Sequence, residues 1–216
     1  MHDTGGRADS ARESVSGFGR SEASKAAWAA RKLGMGTSTL RAKDAMRVQL
    51  SALTEAERAQ LTQYTGFDAT AINSAIRHGR INAATREKIA VLDSALAKGT
   101  VPNNITLYRE TSLSFLEFDN GAQPDKNTIG NFIGQTIPNR IFTSTSFRQL
   151  GLPGRDTVIE LHVPAGYQGA LYIRDLAHPQ YKLQDEVLFA RGLKYRLLSV
   201  DTSGDKVYIK AEVIKP

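Results

Sequence analysis

The chain has 216 residues, 41% hydrophobic and 23% charged, enough for one sizeable core or one core with a small helical lobe. It contains no cysteine, which excludes disulfides, thiolate zinc sites and a cysteine nucleophile, and its scattered histidines (His2, His78, His162, His178) argue against any metal. A formal charge of +6 favours acidic partners, whether nucleotide phosphates, nucleic acid or an acidic protein surface, and no apolar run approaches the roughly 18 residues that a membrane span needs.

Residues 1–20, rich in Gly, Ser, Arg and Asp, read as a flexible leader. They lack the apolar stretch of a secretory signal peptide, which leaves a cytoplasmic protein, one delivered by a specialised machine, or a domain cut from a longer chain. Gly17-Phe18-Gly19 in this leader is not a nucleotide-binding glycine motif, since no strand precedes it. From 21 to 100 the pattern is helical. Ala26, Ala27, Trp28 and Ala30 begin an alanine-rich helix, and Thr54 with Glu57 forms a capping box that opens a second helix through Leu61. A short helix over Ile72–Arg77 ends near Gly79, and another starts at Thr85, carries Ile89, Leu92 and Leu96 on one face and stops at Gly99.

After Pro102 the texture changes to strands. They are expected at Ile105–Arg109, Arg140–Ser146, Thr157–Val163, Ala170–Ile173, Glu186–Arg191, Lys194–Val200 and Lys206–Lys215, with a hairpin turn at Ser203-Gly204-Asp205. Helices first and strands after predict an α+β fold: a single domain over 21–216, with a helical lobe at 21–100 packed on two antiparallel sheets built from 101–216. His162, on an alternating strand, is a surface or satisfied structural residue.

Three strand-associated elements carry chemical potential. Arg109 ends the first strand, Ser144-Thr145-Ser146 sits between Phe142 and Phe147, and Gln184-Asp185-Glu186 leads into Val187-Leu188-Phe189. Singly, each has an ordinary explanation as a surface arginine, β-compatible polar residues or a solvated turn. In this order and spacing they resemble the Arg, Ser-Thr-Ser and (Gln/Glu)-x-Glu signature of the ADP-ribosylating toxins. The resemblance is greatest to the clostridial exoenzymes that modify an asparagine of Rho-family GTPases. It runs from about residue 25 to the C-terminus and includes Tyr64-Thr65, Ile72-Asn73-x-x-x-Arg77, Val91-Leu92-Asp93, Pro102-x-Asn104-Ile105 and Gly154-Arg155. Tyr181 matches the aromatic that the family carries on its target-recognition turn.

The resemblance implies a mono-ADP-ribosyltransferase that uses NAD as substrate and no metal, with NAD in a cleft between helical lobe and sheets. Loss of nicotinamide leaves an oxocarbenium-like ribosyl cation, and Glu186 is the carboxylate that would stabilise it. Ser144 would hold Glu186. Arg109, Arg77 and Arg155 would pair with phosphate oxygens through guanidinium forks, with Asn73, Thr145 and Ser146 completing the cofactor site. An amide at Gln184 carries no charge to draw in a guanidinium, so it points to a neutral acceptor, an asparagine or a hydroxyl, with Tyr181 packing against the target. Two positions depart from the exoenzyme pattern: Glu110 replaces the glycine after the arginine, and Leu152 replaces the aromatic three residues before Arg155.

The expected partners are thus NAD and a macromolecular acceptor, in first place a protein such as a small GTPase. A secreted or machine-delivered effector would meet it in the target-cell cytosol, with a delivery or immunity partner compatible with a detached toxin domain and a monomer as the default state. Three alternatives stand beside this reading: structured RNA as acceptor, a non-catalytic nucleic-acid-binding protein, and an NAD glycohydrolase, which as a side activity also accompanies the first reading.

Overall fold

A helix begins where a side chain can satisfy the amides that its first turn leaves unbonded, and this chain uses that device repeatedly. The computed structural model describes residues 37–118 and 121–215. The leader, Gly17-Phe18-Gly19 and the alanine-rich segment at 26–30 lie outside the described residues. Helix α1 spans Thr37–Gln49 and is followed by a 3-10 turn over Leu50–Ala52. Helix α2, Glu55–Gln63, starts on the expected capping box: Thr54 Oγ1 accepts from Glu57 N at 3.2 Å, and Glu57 Oε2 accepts from Thr54 N at 2.7 Å. It then passes through one π-helical turn, Tyr64–Asp68, into α3, Ala69–Arg77. Helix α4, Ala83–Leu96, is capped by Asn82, whose side chain accepts from Thr85 N at 2.8 Å, so its start lies two residues before the expected one.

Eight strands follow: β1 Ile105–Thr111, β2 Thr136–Asn139, β3 Thr143–Ser146, β4 Thr157–Val163, β5 Ala170–Tyr172, β6 Glu186–Phe189, β7 Leu193–Asp201 and β8 Val207–Val213. They hydrogen-bond in the order β2-β7-β8-β4-β1-β3-β6-β5. The α+β expectation holds, with two corrections of detail. The first is that β4 and β8 pair in parallel; the long crossover that such a pair requires is supplied by everything between them, including β5, β6 and β7. The second is that the two expected sheets are joined in one ladder, but only just: β1 meets β3 at the single register pair Tyr108↔Ser146. On one side of that joint lie five strands, on the other β3, β6 and β5.

The smaller set of strands is packed on both faces, which is why β6 is a continuous apolar run. Val187 and Phe189 join the core made with β1, β4, β7 and β8. Leu188, with Leu171 of β5, turns the other way into a second core with Leu61, Leu92 and Leu96 of the helices. The sequence pattern gave no sign of β2, because its four residues include Pro138. An edge strand tolerates a proline that a central strand does not. The expected strand from Arg140 begins only at Thr143. The Asn73 side chain takes the place of a neighbouring strand for Phe142, accepting from its N–H at 3.2 Å and donating to its carbonyl at 3.3 Å.

The helical layer closes on β5 at Gly99, where an added Cβ would stand 2.2 Å from the Ala170 carbonyl oxygen and 2.7 Å from its carbon. Backbone cannot yield as a flexible side chain does. Gly99→Ala is therefore expected to cost about 1–3 kcal/mol, seen as a melting temperature lowered by several degrees. Gly130→Ala, where a Cβ meets nothing within 4 Å, is the control and leaves it almost unchanged. Equal melting temperatures for the two variants would contradict this packing.

Candidate active site

Where β1 and β3 part, a cleft of about 480 Å³ opens between the splayed strands and α3. Arg109 stands one residue beyond the single position at which β1 pairs with β3, and its Nη1 donates to the Ser144 carbonyl across the gap at 3.1 Å. Arg109 is half-buried and lines the cleft. Burial lowers its pKa, the nearby Tyr195 and Tyr64 hydroxyls oppose this, and the guanidiniums of Arg155 and Arg77 add to the lowering. It still remains charged, since arginine does not lose its proton in proteins. Arg77 projects from the last turn of α3 over the Phe115 ring at 5.0 Å, and Arg155 follows the turn at Gly154; both line the same cleft and are exposed to it. Among the described residues no carboxylate is bonded to any of these three guanidiniums, whose planar forks have the geometry that phosphate oxygens match.

The same cleft holds an acid. Glu186 opens β6 across from Ser146 of β3 and is 7% exposed. Burial raises its pKa above the ordinary value near 4.5, while a hydrogen bond from the Ser144 hydroxyl pulls the other way. Tyr64, in the π-helical turn, is also within hydrogen-bonding reach of Ser144, and its hydroxyl accepts from Asn73 Nδ2 at 2.9 Å. Burial, and then the Glu186 charge, push the Tyr64 pKa upward, so it stays a neutral donor. A π turn displaces a side chain from the ordinary helical register and is often found at functional sites; here it places Tyr64 against Ser144.

Glu186 is aimed by the residue before it. A 3-10 segment, Pro179–Gln184, ends at Asp185, whose φ of 58° is the sole left-handed non-glycine conformation among the described residues. Such a conformation costs of order 1 kcal/mol and persists only where the surroundings over-determine it. They do so here: the Asp185 carboxylate pairs with Lys43 of α1 and accepts from the Tyr172 hydroxyl of β5, all three largely buried.

Nine of the ten residues singled out in the sequence line this one cleft: Asn73, Arg77, Arg109, Ser144, Thr145, Ser146, Arg155, Gln184 and Glu186. Thr145 and Ser146 also hold the wall together, Thr145 by donating to the Val187 carbonyl at 2.8 Å and Ser146 by accepting from Arg148 N at 3.3 Å. Asn73 ties α3 to Phe142 and Tyr64. Tyr181 stands apart from the cleft wall, on the 3-10 segment, with its ring 6.1 Å from that of His178. Sequence reasoning missed the roles of Tyr64, Lys43, Tyr172 and Asp185. The tyrosine had been noted only as half of a pair, and Lys43 is 142 residues from its partner, with no local signal to join them. His162, as expected, is exposed and paired with Glu160 at 2.9 Å. Among the described residues no group of His, Asp and Glu is arranged to hold a metal ion.

A family model described as ADP-ribosyltransferase exoenzyme matches residues 27–216 of the chain. In sequence the chain is similar to the epidermal cell differentiation inhibitor of Staphylococcus aureus, at 27% identity with 74% of each chain covered. In structure it is similar to Plx2a, an ADP-ribosyltransferase toxin from Paenibacillus larvae, with a TM-score of 0.68 and 27% identity over 82% of this chain and 94% of that one. It has the fold of C3stau2 from S. aureus, a structure with NAD, with a TM-score of 0.69 and 22% identity over 83% and 95% of the two chains.

The buried acid has a consequence for stability. A carboxyl with a higher pKa folded than unfolded binds more protons in the folded state between the two values. Its contribution is therefore complete below the unfolded value and is lost as pH rises through the folded one. Glu186→Gln removes the charge and keeps an acceptor for Ser144. It is expected to melt above the wild-type protein at about pH 8, with the gap closing towards about pH 4. A gap that does not change with pH would remove the buried charge as its cause.

Proposed function

The chain belongs to the ADP-ribosyltransferase exoenzyme family and is an NAD-dependent mono-ADP-ribosyltransferase, and on that premise we propose that Glu186 stabilises the ribosyl cation while Gln184 presents an asparagine of a Rho-type small GTPase to it. The observation that carries this reading is the shared cleft, lined by a buried carboxylate and by the guanidiniums of Arg77, Arg109 and Arg155. The arginines grip the two phosphates of NAD, and Asn73 steadies the wall on which Arg77 stands. The C1′–nitrogen bond to nicotinamide then breaks, nicotinamide leaves with the electron pair, and positive charge develops on the ribose. An ionised Glu186 in a largely water-excluded setting acts strongly on that charge, because it needs no reorganisation at the moment of reaction. The acceptor amide nitrogen forms the new bond to C1′ and gives up one proton.

The choice of acceptor rests on Gln184, two residues before Glu186 and on the same cleft wall. Its amide can donate to and accept from another amide in one plane, and offers no charge to a guanidinium. A macromolecular acceptor is supported by the apolar side chains around the 3-10 segment: Leu183 is 76% exposed, and Phe67, whose ring meets that of His178 edge-on at 5.4 Å, is 73% exposed. Side chains of that size left in water beside a cleft are typical of surfaces that a partner covers. Water in the acceptor's place gives free ADP-ribose, a slow glycohydrolase reaction. The target is met in the cytosol of another cell.

Two outcomes test these roles. Glu186→Gln is expected to lower kcat for NAD cleavage at least about 100-fold with a small change in KM, the pattern of a lost contact made only in the transition state. A kcat within a few fold of wild type takes Glu186 out of its role. Gln184→Glu should reduce transfer to protein far more than NAD hydrolysis, measured side by side with labelled NAD and a cell lysate. An equal fall in both contradicts the acceptor role, and label removed by ribonuclease rather than protease overturns the protein acceptor.

A further inference from the structure

The ten residues from Phe147 to Asp156, which join β3 to β4, contain no regular secondary structure, yet Arg148, Leu150, Leu152 and Arg155 of this segment line the cleft. Such a loop has to be held by something other than a ladder. Its two ends are tied: Arg148 Nη2 donates to the Leu183 carbonyl at 2.6 Å, and Asp156 Oδ1 accepts from Leu113 N at 2.8 Å. Between them, the hydrogen bonds that residues 149–153 make to the rest of the described chain all end on one side chain. Glu110 of β1 accepts from the backbone N–H of Leu150 and, at 2.8 Å, of Gly151 with Oε1, and from that of Leu152 at 2.6 Å with Oε2. Three successive N–H groups converging on one anion form a backbone nest, here filled by the chain's own carboxylate. Burial alone would raise the Glu110 pKa, but the three amides and the Lys206 charge bring it below the ordinary value.

The nest is possible because Gly151 adopts φ +69°, and Gly154, just before Arg155, repeats the conformation at φ +70°. At neither position would a Cβ meet anything within 4 Å, so glycine is there for the backbone and not for space. Glu110 and Leu152 are the two positions that depart from the exoenzyme pattern, and they prove to be bonded to each other.

The geometry points to Glu110 as a positioning residue of the dinucleotide site, whose carboxylate holds Leu150–Leu152 and thereby sets Arg155 on the cleft wall before NAD arrives. The inference rests on the phosphate-binding role of Arg155 given above. A loop ordered in advance costs the incoming ligand less, so the effect falls on binding and not on bond cleavage.

Steady-state NAD cleavage and amide hydrogen exchange at Leu150, Gly151 and Leu152, measured on the full chain, test it. Glu110→Ala is expected to raise KM for NAD about tenfold with kcat within about threefold, and to speed exchange at all three amides. Glu110→Gln keeps one acceptor oxygen and should fall between. Gly151→Ala leaves Glu110 in place and only disfavours the left-handed turn. It should raise KM about fivefold even if the Glu110 variants do not fold. Unchanged exchange in Glu110→Ala, faster exchange with an unchanged KM, or a fall in kcat at constant KM would each overturn the inference. Arg155→Ala separates it from its premise. An unchanged KM there sinks the phosphate-binding role, whereas a raised KM there with an unchanged one in Glu110→Ala sinks only the positioning role.

Discussion

The bond from the Arg109 guanidinium to the Ser144 carbonyl is the interaction around which the rest of the molecule is arranged. A β ladder that continued past Tyr108↔Ser146 would fill the space with backbone hydrogen bonds and leave no cleft. Strands that simply parted would expose unpaired groups along two edges. Arg109 resolves the conflict: its long side chain reaches across the opened gap to the first orphaned carbonyl, and its remaining N–H groups face the cleft. Asn73 does the same for Phe142 at the other end of β3. The functional space is thus a gap in the sheet, and the side chains that bound it are also those that keep its edges satisfied.

Charge is distributed across that gap in a way that stability alone would not select. Guanidiniums gather around the cleft, where Arg155 and Arg77 add to the lowering of the Arg109 pKa by burial, and a carboxylate is buried in the same cleft, where burial raises its own. The two are not joined in an ion pair among the described contacts, although that would relieve both. On the reading proposed above, a dinucleotide supplies what each lacks: phosphates for the guanidiniums and, as the glycosidic bond stretches, a cation for the carboxylate. The Ser144 hydroxyl keeps Glu186 hydrogen-bonded without neutralising it, and the neutral phenol of Tyr64 stands within hydrogen-bonding reach of Ser144.

Much of this was legible in the sequence, and the parts that were not share a physical cause. The capping box at Thr54, the apolar spacing of Ile89, Leu92 and Leu96, and the alternation in β1 and β4 are local signals, and local structure followed them. Arg109, Ser144 and Glu186 were legible because their order along three strands resembles a known signature. What stayed hidden depends on partners distant in sequence. The parallel pairing of β4 with β8, the single-pair joint at β1 and β3, and the late start of β3 after Phe142 are decided by contacts that no window of residues contains. Tyr181 shows the converse: the motif singles it out, yet the 3-10 segment sets its ring 6.1 Å from that of His178 and outside the cleft lining.

The turn at Asp185 shows how such a site can combine fixed and adaptable parts. Gln184 and Glu186 flank a residue in a conformation that an aspartate adopts at a cost, so the turn would relax if left to itself. It is held from behind by Lys43 and Tyr172, neither of which lines the cleft. A buried ion pair is a poor source of net stability, because desolvation of both ions offsets most of their attraction. Its value lies in geometry: losing either partner leaves a charge in the core, so the alternative conformations of the turn are made costly while the native one is not. The aim of the carboxylate is therefore fixed by groups remote from both substrate and target. The outer face of the 3-10 segment, free of that task, can vary with the acceptor it must meet.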